Sequence, residues 1–444
     1  MATNAHLNSR GALVGVAAIA AALGFAIPSG LTFATTSGTA SRVGGLDADE
    51  LDLVGYAGRV PDTKKPKLTG AFPRESYAPG RTARLVITDN ARDVTLQILR
   101  ADGVAKPTMA NDVMRGTSVT PRRWVGTVNH RRVVPVAIGD WPSGMYFAEL
   151  RSGPRVGYAP FVLRPRRLGE NSVAIVMPTQ TWQAYNFRDD DGDGRPNTWY
   201  AGGSTARLGR PFLNRGVPPH FKYYDAPLLH WLAETGRKAD YLSDADLNDA
   251  RGGARLRRAY QLVVFEGHHE YVTTHEYDVV TGFRDLGGNL MFLSANNFFW
   301  QIRKDGDVMT RTRKWRDLGR PEAALIGVQY YKNDSGEHRG PWIVRPGAMR
   351  LDWLVQDTGL DVGTPFSNGG IEADTLAPSS PAGVRVIAQI RNLYGDGRDA
   401  DMTYYETAGG AKVFAAGAFT LAGSVQEPHV GELMQNLWTR LSQD

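Results

Sequence analysis

The hydrophobic pattern of this chain changes near residue 167, and that change limits the folds available to it. Between about 68 and 165 apolar and polar residues alternate in short runs such as RRVVPVAI and MYFAEL, with Pro-Gly, Asp-Gly and Ser-Gly pairs between them. Later apolar runs are continuous, as in SVAIVM (172–177), YQLVVF (260–265) and NLMFLS (289–294). Alternation is typical of antiparallel strands with one solvated face, whereas continuous runs are typical of strands buried on both faces.

This change predicts two domains of different class. We expect an N-terminal immunoglobulin-like antiparallel β-sandwich over 68–167, because short alternating strands recur there at the spacing of such sandwiches. We expect a layered α/β domain with a parallel sheet over 168–444, because helical patterns at 226–237 and 276–286 separate the continuous runs. Chemistry in such sheets gathers at the carboxyl ends of the strands. The segment 41–67 has no sustained period and is interpreted as a linker or arm.

The N-terminus contains a targeting pattern. Residues 11–27, GALVGVAAIAAALGFAI, form an uncharged apolar run behind Arg10, and small residues follow it. This is typical of a secretory signal peptide, which we place at 1–40. The run is shorter than the roughly 20 residues that span a bilayer. An uncleaved signal anchor nevertheless stays open as the alternative, and it is the only membrane contact predicted. The mature protein is expected to be secreted or extracytoplasmic.

Composition excludes several classes of chemistry. Cysteine is absent from the 444 residues, which rules out disulfides, thiolate metal ligands and a cysteine nucleophile. The 51 Lys and Arg against 46 Asp and Glu give a formal charge of only +5, so nucleic acid is not an expected partner. GxSxG, GxxxxGK[ST] and strand-following GxGxxG motifs are missing from the sequence. Serine esterase, P-loop NTPase and nicotinamide-enzyme functions lose support accordingly.

The densest group of acid, base and metal-capable side chains follows the run YQLVVF. It reads EGHHEY (266–271) and includes His268 and Glu270. Imidazoles and carboxylates at the end of a buried strand suit proton transfer or metal binding. The spacing differs from the HExxH of zinc proteases. A solvated polar loop is the alternative interpretation.

The loops after the other two runs carry further candidates. PTQTWQAYN (178–186) contains Tyr185, which is either a core residue or, as a phenolate, a hard ligand for ferric iron. ANNFFW (295–300) contains Asn296, which either polarises a substrate carbonyl or caps a helix. The sequence alone leaves both pairs of alternatives open.

An acidic stretch, DDDGDGRPN, follows the Tyr185 loop. Asp189, Asp191 and Asp193 place oxygens at alternate positions before a glycine, which fits the first half of a calcium loop. The closing glutamate is missing, since Tyr200 stands at the twelfth position. Calcium binding and a plain Asx-rich turn both stay open.

Several segments together resemble the N,N-dimethylformamidase large (beta) subunit family. They are SGMYFAEL (143–150), PTQTWQAYN (178–186), PLLHWLAETG with its acidic continuation (227–249), VVFEGHHEYVTTH (263–275), LGGNLMFLSANNFFW (286–300) and ADMTYYETAGGAKVFAAGAFTLAGS (400–424). The resemblance implies a class I glutamine amidotransferase-like fold for the C-terminal domain, without the cysteine of that class. Two departures would alter the walls of the pocket: Val272 where the family has Trp, and the acidic insert 187–197.

The resemblance also implies a set of site residues. Active members of the family are described as holding one mononuclear ferric ion with two tyrosines and a glutamate, which correspond here to Tyr146, Tyr185 and Glu270. Polar pocket residues of the family correspond to His268, Asn296 and Glu406. His268 or Glu406 would act as general acid or base, and Asn296 would donate a hydrogen bond to the substrate carbonyl.

We therefore expect an exported, iron-dependent hydrolase of an amide or related C–N bond, acting on a small-molecule or envelope-derived substrate. Fe(III) is the expected cofactor, and Ca²⁺ is a second candidate ion. One alternative is a non-catalytic envelope or glycan-binding protein on a degenerate hydrolase fold. Another is a calcium-stabilised hydrolase whose one ion lies at 189–193. The sequence leaves a homo-oligomer open.

Overall fold

The computed structural model describes residues 63–101, 110–334 and 337–443. The expected signal peptide at 1–40 and most of the arm at 41–67 lie outside these residues. Within them, no helix combines the length and the apolar character needed to cross a membrane.

The first part of the described chain consists of strands. They are β1 (Gly70–Ala71), β2 (Ser76–Tyr77), β3 (Thr82–Ile87), β4 (Ala91–Arg100), β5 (Thr117–Ser118), β6 (Arg123–Val128), β7 (Arg132–Ala137), β8 (Gly144–Ser152) and β9 (Arg155–Leu163).

These strands form two sheets that share one hydrophobic core. β1, β3 and β7 form one sheet; β2, β9, β8, β4 and β5 form the other in that order, with β6 also pairing with β4. All pairs are antiparallel except β2 with β9. Alternate residues point inward, so that Leu85, Leu96 and Val134 are buried together. The segment is thus a two-sheet β-sandwich, and its immunoglobulin-like classification stays a prediction.

The second part of the chain mixes strands and helices. Its strands are β10 (Val173–Met177), β11 (Thr205–Arg207), β12 (Asp240–Ser243), β13 (Leu262–Phe265), β14 (Tyr271–Thr273), β15 (Asn289–Phe292), β16 (Trp300–Asp305), β17 (Val308–Lys314), β18 (Gln329–Asn333), β19 (Arg339–Val344), β20 (Pro365–Thr375), β21 (Arg385–Ile390), β22 (Ala400–Glu406), β23 (Lys412–Ala415) and β24 (Ala418–Phe419). Its helices are α1 (Thr179–Ala184), α2 (Leu213–Gly216), α3 (Phe221–Tyr224), α4 (Ala226–Glu234), α5 (Asp244–Asn248), α6 (Gly253–Ala259), α7 (Thr274–Asp285), α8 (Ala323–Ile326), α9 (Asp352–Val355) and α10 (Pro428–Leu441). Short 3₁₀ segments lie at Trp199–Ala201, Trp315–Leu318, Ala348–Arg350 and Ala422–Ser424.

Five neighbouring strands of the large sheet, β12, β10, β13, β15 and β23, are parallel. Every residue of β10, β13 and β15 is buried, as expected for continuous apolar runs. Val176 of β10 lies opposite Phe265 of β13, and Phe265 lies opposite Phe292 of β15. These three strands therefore end at the same edge of the sheet, and their following loops are gathered there.

The rest of the large sheet is antiparallel, which corrects the expectation of a parallel sheet throughout 168–444. From β23 the order continues through β22, β21, β19, β20 and β18, with β24 on β20, and each of these pairs is antiparallel. Connection length gives one reason. Only residues 407–411 separate β22 from β23, whereas a parallel pair needs a crossover of about a dozen residues or more. The glutamine amidotransferase-like layering stays a prediction.

β11, β17, β16 and β14 form a smaller sheet in that order. Its strand β14 begins at the residue that follows Glu270. β14 pairs in parallel with β16, with Tyr271 opposite Trp300. At the end of β14, Thr273 begins α7 with a capping box: its hydroxyl accepts from the N–H of Glu276, whose carboxylate accepts from the N–H of Thr273. The chain after Glu270 is therefore fixed by a strand pair and a helix cap.

The sandwich packs directly on the α/β domain within one compact unit. Met145 and Phe147 of β8 share a buried cluster with Ile175 of β10. Glu75, which precedes β2, accepts a hydrogen bond from the hydroxyl of Thr179 and lies 3.2 Å from Lys304 Nζ. Apolar and ionic contacts thus join the two domains.

Candidate active site

The loops after β10, β13 and β15 contact one another at the edge of the sheet. The hydroxyl of Thr181 accepts from the N–H of Glu270 at 3.1 Å. The N–H of Phe298 donates to the carbonyl of His269 at 2.7 Å. Loops far apart in sequence are thereby hydrogen-bonded into one surface.

Glu270 lies at the centre of a buried cluster of phenols. Its Oε2 accepts hydrogen bonds from Tyr185 Oη at 2.6 Å and from Tyr200 Oη at 3.2 Å. The hydroxyl of Tyr200 is also hydrogen-bonded to that of Tyr271. Glu270 is only 3% exposed, so these phenols stand where water would otherwise solvate the carboxylate.

Burial controls ionisation in this cluster. It raises the pKa of Glu270 to about 7, against the opposing effect of hydrogen bonds from Tyr185, Tyr271 and Tyr200. Burial, with the neighbouring charge of Glu270, raises the pKa of Tyr185 and of Tyr271 well above 10, and Tyr200 behaves likewise. Deprotonated oxygens packed this closely require a cation. Phenolate and carboxylate oxygens are the hard donors that suit a trivalent ion such as Fe(III), so the residues fit the predicted metal.

His268 lies between two carboxyl groups. Its Nε2 is 3.7 Å from Glu270 Oε2 and 3.6 Å from Glu372 Oε2, too far for direct hydrogen bonds. Within the described part of the chain neither Nε2 nor Glu372 Oε2 has a hydrogen-bond partner. The ring contacts Phe419 with centroids 4.8 Å apart. Burial lowers the pKa of His268 well below 6.5, with repulsion from His220 and His269 adding to the effect. The resting imidazole is neutral.

Asn296 is held by the backbone and by acidic neighbours. It adopts a left-handed conformation with φ of 54°, which asparagine tolerates better than most residues. Its N–H donates to Asp374 Oδ1 at 2.8 Å, and its side-chain amide is hydrogen-bonded to Glu372. Burial, followed by repulsion from Glu270, raises the pKa of Glu372 well above 4.5. Burial and the neighbouring charge of Glu270 thus favour the protonated form of Glu372.

The structure brings together four of the predicted residues, Tyr185, Glu270, His268 and Asn296. They come from the loops after the three apolar runs, as the strand-end argument expected.

Tyr146 lies elsewhere, which contradicts its prediction as an iron ligand. It is fully buried in the sandwich core, stacks on Trp141 and Phe161, and donates its hydroxyl to the carbonyl of Pro142 at 2.8 Å. The reason is the alternation of β8: Met145 and Phe147 face the α/β domain, and Tyr146 faces the other way.

Glu406 is also outside the cluster, which contradicts its prediction as an acid or base. It is the exposed last residue of β22, opposite Lys412, and accepts a hydrogen bond from Tyr404 at 2.6 Å. Its carboxylate is open to solvent, and its hydrogen-bond partner Tyr404 is not part of the Glu270 cluster.

Sequence reasoning missed Glu372, Tyr200 and Tyr271. Glu372 lies in the otherwise apolar run GGIEA, and an acidic residue inside a buried strand is a usable indicator of function. Tyr271 stands next to Glu270. Tyr200 was considered only as the residue that replaces a calcium-binding glutamate.

The acidic loop forms a separate cluster. One carboxylate oxygen from each of Asp189, Asp191 and Asp193 lies within 4.8 Å of the others. Backbone N–H groups of Gly192 and Gly194 donate to Asp189. This geometry is shared by calcium loops and by Asx turns, so the calcium prediction stays a prediction.

A small cavity opens beside the Glu270 cluster, and its lining includes Trp182, Tyr185, His220, Asp225 and His268. A larger cavity lies against Phe161 and Arg210, and its lining includes none of the Glu270 cluster. The smaller cavity is the one connected to the candidate chemistry.

A family model described as N,N-dimethylformamidase beta subunit-like, C-terminal, matches residues 71–432. The chain belongs to this family. The match covers the sandwich as well as the α/β domain.

Two relatives are the N,N-dimethylformamidase beta subunits of Alcaligenes sp and Paracoccus aminophilus, each 22% identical over 407 residues. Each alignment covers 68% of this chain and 53% of the relative. The chain thus spans about half the length of the relatives it matches.

Similarity to solved structures is low. An uncharacterized protein from Bacillus anthracis str. Ames has a TM-score of 0.17 and 17% identity, covering 21% of this chain and 78% of that chain. A superoxide reductase (neelaredoxin) from Ignicoccus hospitalis has a TM-score of 0.16 and 7% identity, covering 22% of this chain and 81% of that chain. Scores this low carry no argument about fold or function.

Proposed function

We propose that this chain is an exported hydrolase that cleaves an amide C–N bond, with one ferric ion held by Glu270, Tyr185 and Tyr200. The observation that carries the proposal is the buried carboxylate of Glu270 with two phenol oxygens within 3.2 Å. Family membership supports the amide-hydrolase class, and the apolar run at 11–27 supports export.

The metal would supply Lewis acidity at the substrate carbonyl. The protein has to supply proton transfer and orientation. Tyr271 contributes by holding the hydroxyl of Tyr200 toward Glu270.

His268 is the group we assign as general base. It is neutral at rest, and its Nε2 is unpartnered among the described residues and therefore available to accept a proton from water. The imidazolium so formed lies within 3.7 Å of the carboxyl groups of Glu270 and Glu372. The negative charge of Glu270 at that distance stabilises it.

Asn296 and Glu372 orient the substrate. One N–H of the Asn296 amide is engaged by Glu372, which leaves the second N–H for the carbonyl of the amide. A protonated Glu372 adds a further donor on the same side.

The test is metal content together with turnover. Purified mature protein, reconstituted with ferric iron, should bind one iron per chain, show visible tyrosinate-to-iron absorption and hydrolyse N,N-dimethylformamide or larger tertiary amides. Absence of both iron and turnover would overturn the proposal. Retained stability and polymer binding in Glu270→Ala, with metal absent throughout, would favour the non-catalytic alternative.

A further inference from the structure

Arg311 of β17 is a cation beside the candidate site, and it stacks on aromatic rings. Its Cζ lies 4.6 Å from the ring centroid of Trp300, 5.8 Å from that of Trp199 and 6.0 Å from that of Tyr200. Within the described part of the chain, its guanidinium forms neither a hydrogen bond nor an ion pair. Stacking uses the flat faces of a guanidinium and leaves the N–H donors at its edge free. Arg311 therefore presents an unused hydrogen-bonding edge.

The small sheet places Arg311 beside the Glu270 cluster. Met309 of β17 is buried in one hydrophobic cluster with Tyr185 and Tyr271, and side chains two positions apart on a strand share a face. Arg311 therefore points to the face that carries those phenols. Burial raises the pKa of Glu270 to about 7, and the charge of Arg311 is one of the effects that oppose this rise. An effect of this kind requires that the two groups lie near each other.

The Tyr200 side of the cluster is open to solvent. Glu270, Tyr185 and Tyr271 are at most 9% exposed, whereas Tyr200 and Arg311 are half-buried. A molecule that approaches from this side meets the guanidinium next to a phenol that we assign as a metal ligand. The arginine is thus placed to contact a substrate at the candidate metal centre.

Two other arginines of this region show what usually occupies the edge of a stacked guanidinium. Arg316 stacks on an aromatic ring and forms an ion pair with Glu322. Arg320 also stacks on a ring and pairs with Asp278 at 2.6 Å. Each of them combines stacking with a carboxylate partner, and Arg311 has the stacking without the carboxylate.

The acidic insert 187–197, which leads into the Trp199 segment, does not supply the missing partner. Asp190 pairs with Arg210 at 3.0 Å. Asp189 accepts hydrogen bonds from backbone N–H groups of the insert itself. These carboxylates are engaged elsewhere, so an anion from outside the chain fits the free edge of Arg311.

We propose that Arg311 binds a carboxylate on the substrate, so that the amide hydrolysed at this site carries an acidic group. This rests on the proposed amide hydrolysis and names its substrate class. The planar fork of a guanidinium matches the two oxygens of a carboxylate, and paired hydrogen bonds of this kind are strong and directional. Phosphate sites commonly use the N–H groups of a helix N-terminus, whereas Arg311 lies within a strand. A carboxylate held there orients the amide relative to Glu270.

The test compares acidic amides with their neutral esters. The mono-dimethylamides of malonic, succinic and glutaric acid place a carboxylate at increasing distance from the amide carbonyl, and the methyl ester of each removes the charge. Release of dimethylamine by the iron-loaded protein gives kcat/KM for each compound. For at least one acid this value should exceed that of its ester by about 10–10²-fold, which is the size of effect expected of a charge-assisted hydrogen bond.

Variants of Arg311 should change the ratio of the two kcat/KM values. Arg311→Gln should lower the acid-to-ester ratio to about 1, and Arg311→Glu should lower it further because like charges repel. Both substrates meet the same enzyme, so partial unfolding or partial loss of iron cancels from the ratio. Arg303→Gln is the matched control. Arg303 is exposed and lies opposite Thr310 on the other face of the same sheet, so this variant should keep the wild-type ratio.

Binding measures the same preference without turnover. Calorimetric titration of the purified protein with each acid and its ester should give one acid a Kd about 10–10²-fold below that of its ester, and Arg311→Gln should remove the difference. Equal values for acids and esters in the wild type, or a preference that persists in Arg311→Gln, would overturn the carboxylate site. Release of dimethylamine would then still support the proposed function. Acids bound through Arg311 without any release of dimethylamine would overturn the proposed function and retain the carboxylate site.

Discussion

At the residue scale, the environment of each side chain decides which identical groups are chemically useful. Glu270 and Glu406 are the same residue type, yet burial raises the pKa of Glu270 to about 7 while Glu406 is exposed at a strand end. Tyr185 and Tyr146 are both buried, but one donates to Glu270 and the other to a backbone carbonyl. The useful member of each pair is the one that is buried beside the other titratable groups of the candidate site.

Single Tyr→Phe substitutions, each of which removes one phenol oxygen, can show which tyrosines bind the metal. Tyr185→Phe and Tyr200→Phe each remove a phenol oxygen beside Glu270, so both should lower bound iron and weaken the tyrosinate-to-iron absorption. Tyr146→Phe should keep iron and colour, and should cost about 1 kcal/mol of stability through its lost hydrogen bond. Iron analysis and visible spectra check this prediction. Loss of iron in Tyr146→Phe alone would restore the sequence-based ligand set.

Glu372 can be compared with Glu406 in the same assay. Glu372→Gln removes the carboxyl proton that we assign to substrate orientation. It also replaces one of the two carboxyl groups that flank His268, so kcat should fall by about 10²-fold or more. Glu406→Gln changes an exposed carboxylate and should leave kcat unchanged. Steady-state kinetics with unchanged iron content checks the prediction, and the reverse ranking would show that Glu406 is the functional carboxylate.

At the element scale, the short loops after parallel strands carry the site because the strands fix where the loops begin. β10, β13 and β15 are in register, so Tyr185, Glu270 and Asn296 arrive at one edge although 111 positions separate the first from the last. The acidic insert after Tyr185 differs, since it is an exposed turn joined to that same loop.

Calcium binding by this insert has a measurable consequence. If Asp189, Asp191 and Asp193 bind Ca²⁺, millimolar Ca²⁺ should raise the melting temperature and a chelator should reverse it without changing the iron colour, because a ligand that binds only the folded state stabilises it. Asp191→Asn should abolish the shift, and Asp396→Asn, in an exposed turn between β21 and β22, should not. A melting temperature that ignores Ca²⁺ would identify the loop as an Asx turn.

At the scale of the whole molecule, the sandwich is joined to the α/β domain by a buried ion pair. Lys304 of β16 lies 3.2 Å from Glu75, and both side chains are at most 15% exposed. Attraction to Glu75 and Glu276 raises the pKa of Lys304 against the effect of burial. Glu75 also lies close to Asp244, so the lysine offsets repulsion among several acids.

Removing Lys304 should therefore weaken the contact between the two domains and lower the free energy of unfolding. Lys304→Met leaves Glu75 buried without its cation and should destabilise the protein by about 3–5 kcal/mol. The double variant Glu75→Gln/Lys304→Met should recover part of that loss, and Lys412→Met on β23 serves as the control. Denaturant unfolding measures each value. Additive losses in the double variant would show that the pair does not couple the domains.

Some of this organisation could be predicted from the sequence and some could not. Continuous apolar runs predicted β10, β13 and β15 and the site at their ends, because a strand that is buried on both faces consists almost entirely of apolar residues. The antiparallel half of the large sheet was missed, since three of its strands, β18, β19 and β21, are only partly buried and carry mixed patterns. Tyr146 was misplaced because a motif match carries no information about which face of a strand a side chain occupies.

The sequence by itself determined the two kinds of sheet, the loops that bear the chemistry, and four of the residues that meet there. Only the tertiary structure decided that Tyr200, Tyr271 and Glu372 complete the cluster. Local patterns report burial and spacing along the chain, whereas the pKa of a carboxyl group depends on which distant side chains share its low-dielectric surroundings.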